Sequence, residues 1–242
     1  MNPRASPRFV IAIAVLSISF ASIFIKWSEA HALAIAAYRL GFATLILLLP
    51  TLLLNRKELF HLSSREVMVL AAVGVALAFH FGFWISSLKY TSVANSVILV
   101  STHPILIAMI SHYYIGEKIT YAAGTGVAVA VIGMVIIGLS DLTSSPETMI
   151  GDFLALLGMF ALATYLLSGR RIRQKTSVLP YVFVVYGVAT MCLFIGCFVF
   201  NVPLFPYPRR EWILFLALAI IPMILGHTLY NWTLKYVTTL VV

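Results

Sequence analysis

Residues 83–96 read FWISSLKYTSVANS, and residues 229–242 read LYNWTLKYVTTLVV. Both carry an aromatic at their second position (Trp84, Tyr230) and the same tripeptide, Leu88-Lys89-Tyr90 and Leu234-Lys235-Tyr236, 146 positions apart. Hydroxylated residues follow in each copy, Thr91-Ser92 and Thr238-Thr239. Each copy closes a long apolar run that itself follows a basic, polar turn. Repetition at half-chain scale in so apolar a sequence marks a membrane protein built from two structural repeats.

Composition fixes the solvent. The chain is 62% hydrophobic and 10% charged, and its mean hydropathy is +1.03. That leaves too little polar surface to cover a soluble globule. A bilayer core instead requires runs of about 20 apolar residues. Such runs fall near 9–27, 31–54, 66–88, 91–115, 119–140, 150–169, 178–201 and 211–234, with a ninth beginning at Val237. The first is long enough to span, and no small-residue cleavage site follows it, so no removable signal is expected.

The net charge of +8 is distributed by turn. Eleven of the sixteen basic residues, Arg56, Lys57, Arg170, Arg171 and Arg173 among them, fall on the side of the N-terminus. Four fall on the other side (Lys26, Lys89, Arg209, Arg210), and Arg39 lies within a run. The excess of Lys and Arg in cytoplasmic loops places the N-terminus in the cytoplasm. The basic balance is thus topogenic, and no nucleic-acid partner is expected. Five runs separate one copy from the next. Five is odd, so the copies lie in opposite orientations, an inverted repeat with its substrate region near the midplane.

Several short motifs recur in order along the chain. Tyr38-Arg39-Leu40 lies in the second run, and Leu88-Lys89-Tyr90-Thr91 leads into Ala94-Asn95. His103-Pro104 lies in the fourth run and Gly116-Glu117-Lys118 closes it, while Leu234-Lys235-Tyr236-Val237 repeats the third-run motif. In this set the chain resembles the EamA-type permeases of the drug/metabolite transporter (DMT) superfamily, over essentially its whole length. The resemblance implies an all-α, polytopic inner-membrane exporter of small metabolites, made of two five-helix repeats. Residues 1–140 would form the first repeat, 141–149 an outer linker, and 150–242 a second repeat. That second repeat lacks its Pro and Gly-Glu elements. By analogy with the first, the family pattern runs about 45–50 residues further, through the rest of a ninth span and a tenth.

Polar residues inside spans are costly and tend to face protein or water. His80 and Trp84 are four apart and share a helix face, which Ser87 continues. His227, Tyr230 and Asn231 form an equivalent face in the eighth run. These residues, with Asn95 and His103 from the fourth run, are expected to line a cavity for an organic solute that needs stacking and a few hydrogen bonds. Anchoring of Trp84 in an interfacial aromatic belt is the alternative. Pro104 removes a backbone donor and frees the carbonyl near Val100, giving a kink and a hinge. Arg39 serves either as an anion or carboxylate contact or as a structural residue that snorkels to the interface or pairs with backbone carbonyls. Glu117 reads as helix-terminal.

Every acid lies in a loop or at a span end, so proton exchange by a carboxylate at mid-membrane has no candidate. Cys192 and Cys197 are five apart on different faces of one run and are not expected to pair. Gly124, Gly126, Gly133 and Gly138 read as close helix packing. No metal-ligand spacing or phosphate-binding loop occurs, so no cofactor is expected. An intramembrane enzyme would need a reactive set at depth, and a receptor an appended signalling domain. The expected function is alternating-access transport of small metabolites, amino acids including aromatic ones, by facilitated diffusion. Broad efflux of amphipathic drugs is the second reading. No obligate protein partner is evident beyond solute and lipid.

Overall fold

A computed structural model of the chain describes residues 6–110, 112–113, 121–141 and 145–236. Among these all regular secondary structure is helical: α1 (Pro7–Trp27), α2 (Ala32–Phe60), α3 (Ser64–Tyr90), α4 (Val93–Val100), α5 (His103–Ile110), α6 (Tyr121–Asp141), α7 (Pro146–Arg173), α8 (Val178–Val199) and α9 (Arg209–Leu218). A π-helical segment (Ala219–Thr228) and α10 (Leu229–Thr233) then continue α9. Seven spans, counting α4–α5 as one and α9 through α10 as another, are long and apolar enough to cross a bilayer. With α6 they match the eight expected runs, and the chain is a multi-pass membrane protein. The start of a ninth run, and Gly116, Glu117 and Lys118, lie outside the described residues.

Local sequence explains the breaks. Ser63 opens α3 with a reciprocal cap: the Glu66 amide donates to Ser63 Oγ (3.3 Å), and the Ser63 amide donates to Glu66 Oε2 (2.9 Å). Ser92 caps α4 and Ser145 caps α7, the latter with Pro146 at the first helical position. His31 caps α2 through Nδ1, which accepts from the Leu33 amide. Burial and the Lys89 ammonium hold that imidazole below its usual range, which keeps Nδ1 free to accept. After α8 the chain reverses through Asn201 at φ 51°, a left-handed conformation that Asn tolerates.

Packing is inside-out relative to a soluble protein. Large apolar side chains such as Leu16, Leu49, Leu53, Phe79 and Phe198 face outward, where lipid tails replace water. The most extensive contacts run between α3 and α7, between α2 and α8, and between α3 and α8, with α1 against the π segment. These interfaces use small residues to bring backbones close. A Cβ at Gly74 would stand 2.8 Å from the Val185 carbonyl oxygen, and one at Gly158 would stand 3.2 Å from the Trp84 backbone nitrogen. Between α2 and α8 the contact is reciprocal. Gly41 faces Thr190, Gly187 faces Thr44, and the two threonine hydroxyls lie 3.5 Å apart.

Two of the α6 glycines, Gly126 and Gly133, show no close helix packing among the described residues. Among the described residues nothing lies within 4 Å of a Cβ added at either position. Among the described elements, α6 meets α4 and α5. Cys192 and Cys197 are both free thiols.

Candidate functional site

The fourth span is interrupted. α4 ends at Val100, a turn covers 101–102, and α5 begins at His103. Pro104 has no N–H to give the Val100 carbonyl, which would be its partner one turn earlier. His103 supplies the missing donor: its Nδ1 lies 3.1 Å from that oxygen. A carbonyl only accepts, so Nδ1 carries the proton and Nε2 is left as an acceptor. His80 is fixed in the same way on α3, with Nδ1 donating to the Gly158 carbonyl at 2.9 Å. Gly158 makes this possible, because its missing Cβ lets α7 approach α3 closely enough for a ring to reach the backbone.

These two imidazoles border one cavity of about 320 Å³, together with Trp84, His227 and Tyr230. Thus five of the seven expected lining residues converge there, from the third, fourth and eighth spans. The His80 and Trp84 rings lie parallel, 2° apart in plane and 6.0 Å between centroids. Trp84 is 6% exposed and buried among helices, not held at a belt. Its indole Nε1 has no hydrogen-bond partner among the described residues.

Two expected members lie elsewhere. Asn95 sits in the first turn of α4, where its backbone N–H donates to Ser92 Oγ (3.0 Å), and the wall is formed by Val97, Val100 and Ser101 instead. Asn231 is wholly buried behind the wall. Its Nδ2 donates to the Tyr165 hydroxyl (2.5 Å) and to the His227 carbonyl (2.6 Å), in a polar cluster that includes Tyr186 and Thr228. Ser87 also turns away, bonding Ser96 at 2.6 Å.

Sequence reasoning missed two whole walls. Val15, Ile18, Ser19 and Ser22 of α1, and Leu162 and Leu166 of α7, complete the cavity. The only signal for them was their helical spacing, which apolar residues throughout both spans obscure.

Arg39 overturns the snorkelling alternative. It is 0% exposed, because α2 is flanked by α3 and α8 and offers no path to an interface. Its guanidinium carbon stands 4.3 Å over the Phe81 ring. Nε and both Nη atoms lack a hydrogen-bond acceptor among the described residues. Phe81 in turn meets His80 (4.8 Å) and His227 (5.3 Å), so the guanidinium is one ring layer behind the cavity wall.

One end of the bundle is tied shut. Glu211, buried in the first turn of α9, accepts from the Ser28 hydroxyl and, at 3.0 Å, from the Glu29 amide. Lys89 Nζ donates to the Ser28 carbonyl at 3.0 Å. Ends of α1, α3 and α9, three helices of spans that wall the cavity, are thereby held together. At the opposite end Arg173 donates to the Asn231 and Thr176 carbonyls, and the Ser177 amide donates to Glu58 Oε1 at 2.6 Å.

Comparison with known proteins places this geometry. The profile of the EamA-like transporter family matches residues 7–139 and again 149–242. An uncharacterized transporter of Bacillus subtilis (strain 168), YyaM, is 23% identical over 210 residues, covering 83% of this chain and 67% of that protein. A solved crystal structure, 20% identical, superposes with a TM-score of 0.69 over 96% of this chain and 79% of its own; that likeness concerns the fold alone.

Proposed function

The chain belongs to the EamA-like transporter family, and from that premise we propose that it carries small organic metabolites, aromatic amino acids among them, across the inner membrane. The observation that supports this reading is the convergence of His80, Trp84, His103, His227 and Tyr230 on one cavity of about 320 Å³. That volume falls in the range of small-molecule sites, and the lining is mostly apolar with a few polar groups, as such sites require. Trp84 and Tyr230 offer faces for stacking. The two imidazoles, each with its Nδ1 engaged by a backbone carbonyl, offer Nε2 acceptors.

Two inverted five-helix repeats working by alternating access remain the architecture we propose, with the N-terminus cytoplasmic. The reciprocal Gly41–Thr190 and Gly187–Thr44 contacts support it, since each pair exchanges into the other on a shift of 146 positions. The break at Pro104 is the proposed hinge. Among the described residues no carboxylate borders the cavity, so facilitated diffusion is the favoured energetics.

The second reading, efflux of amphipathic drugs, draws on the same aromatic faces, which also attract organic cations. Uptake of a labelled amino-acid panel into proteoliposomes, with and without a pH gradient, tests the first reading. Aromatic amino acids should equilibrate faster than small aliphatic ones. Equal rates for the two groups, or no uptake above protein-free vesicles, would overturn it.

A further inference from the structure

A guanidinium buried without a counter-charge is an unusual thing for a fold to keep. Arg keeps its charge in proteins, and burying a charge without a partner is strongly unfavourable. Arg39 is nonetheless wholly enclosed, and none of its three nitrogens finds an acceptor among the described residues. Phe81 engages the flat face of the group at 4.3 Å, but a ring is no counter-ion, and the in-plane N–H donors stay unanswered. Among the described residues, those that border the cavity include no acid that could offset it.

The position of this charge matters as much as its isolation. Phe81 touches both His80 and His227, so the guanidinium lies just behind the stretch of wall where two imidazoles meet the cavity. A unit charge about 10 Å from a solute, at an effective dielectric of about 20, shifts binding of a monovalent ion on the order of tenfold relative to a neutral solute. The sign favours anions and opposes cations.

We propose that Arg39 gives the cavity a positive potential and thereby selects organic anions, carboxylates above all, over neutral and cationic solutes of the same shape. This inference rests on the transport reading above and narrows it to solutes of net negative charge; an amino acid, zwitterionic at neutral pH, gains only in so far as its carboxylate lies nearer Arg39 than its ammonium does. The solute's own negative charge is the counter-charge that the described residues do not supply. Arg39 acts through the field and through Phe81, as a specificity-determining residue and not as a direct ligand of the solute. A drug exporter of the cationic kind would place no such charge there.

The test uses three labelled probes that share one ring: phenylacetate, phenylacetamide and phenethylammonium. Equilibrium binding to the purified full chain in nanodiscs should rank them in that order, with the acid about tenfold tighter than the amide. Arg39→Met should bring the acid-to-amide ratio near one, and Arg39→Lys should restore much of it. A residue that merely supported the fold would weaken all three probes together. Equal or inverted affinities in the wild-type chain, or an undiminished ratio in Arg39→Met, would overturn the proposal. Where Arg39→Met does not fold, the wild-type order alone decides. Binding of none of the three would overturn the transport reading and this one with it, whereas binding in the wrong order overturns only the charge selection.

Discussion

Pro104 shows how a single residue can set the chemistry of its neighbour. Its missing N–H leaves the Val100 carbonyl free, and His103 takes that carbonyl, so the break in the helix and the tautomer of the imidazole have one cause. His103→Ala would leave the carbonyl unanswered and loosen the break. Flux of every solute should then fall severalfold in proteoliposomes. A variant that transports all solutes at the wild-type rate would remove His103 from the moving part. The aromatic pair should behave differently. Trp84→Ala and Tyr230→Ala remove stacking surfaces worth about 0.5–1.5 kcal/mol each, so apparent affinity for aromatic solutes should drop up to about tenfold. Aliphatic solutes should change little, and competition uptake with matched aromatic and aliphatic amino acids measures the difference. Both residues were legible in the sequence, since two polar or aromatic faces at helical spacing stand out within apolar runs. Arg39 was legible only as an anomaly. Its burial depends on α2 lying against α3 and α8, and helix order across a bundle leaves no mark in local sequence.

At the scale of elements, close backbone approach does the packing, and it can be probed at glycines. A Cβ at Gly151 would meet the Thr91 amide nitrogen and Cβ at 2.7 Å, and one at Gly74 would meet α8 at 2.8 Å. Both contacts involve backbone or branched atoms that cannot swing aside. Gly74→Ala and Gly151→Ala should therefore each destabilise the protein by about 1–3 kcal/mol in detergent. Gly126→Ala, with open space around it, should be neutral or gain up to about 1 kcal/mol of helix propensity. Thermal unfolding of the three variants separates the cases, and equal shifts would contradict the packing. Sequence treated the α6 glycines like the others because composition does not say which face of a helix meets a neighbour.

The π segment has an origin that the sequence does contain. Arg65-Glu66 and Arg210-Glu211 open the third and eighth spans, and Leu88-Lys89-Tyr90 and Leu234-Lys235-Tyr236 close them. The offset between copies grows by one residue from the first pair to the second, and the wider π turn accommodates such a residue. The tie at Glu211 is also an element-scale device. Glu211→Ala would leave the Glu29 amide without an acceptor and the Ser28 hydroxyl with only the Ala30 amide as partner. In a background lacking Cys192 and Cys197, a cysteine at Ser22 should then react faster with an impermeant thiol reagent applied from that side. Unchanged labelling would mean that the end is held shut by something else.

For the whole molecule, the distribution of Lys and Arg predicts which end faces which compartment. Cysteines at Asn201 and at His61, introduced singly into the same thiol-free background, should differ in intact cells. Only the Asn201 site should be labelled, and the opposite result would invert the orientation. Fold class was the most legible property because long apolar runs admit few solutions in lipid. The cavity's full outline was the least legible, since α1 and α7 contribute apolar and hydroxyl residues that any packed span also contains.

The arrangement around Trp84 has an optical consequence. An indole N–H enclosed without an acceptor emits at short wavelength, and its emission moves to the red when a neighbour accepts that hydrogen. Of the other three tryptophans, Trp27 is 54% exposed, Trp212 already donates to the Tyr207 carbonyl at 3.2 Å, and Trp232 packs beside Tyr236. With those three replaced by Phe, the remaining fluorophore stands in the cavity wall, parallel to an imidazole and unsatisfied at Nε1. Any solute that enters and stacks against this indole changes the polarity around it and with it the colour of the protein's own light, so occupancy becomes readable without a label on the solute.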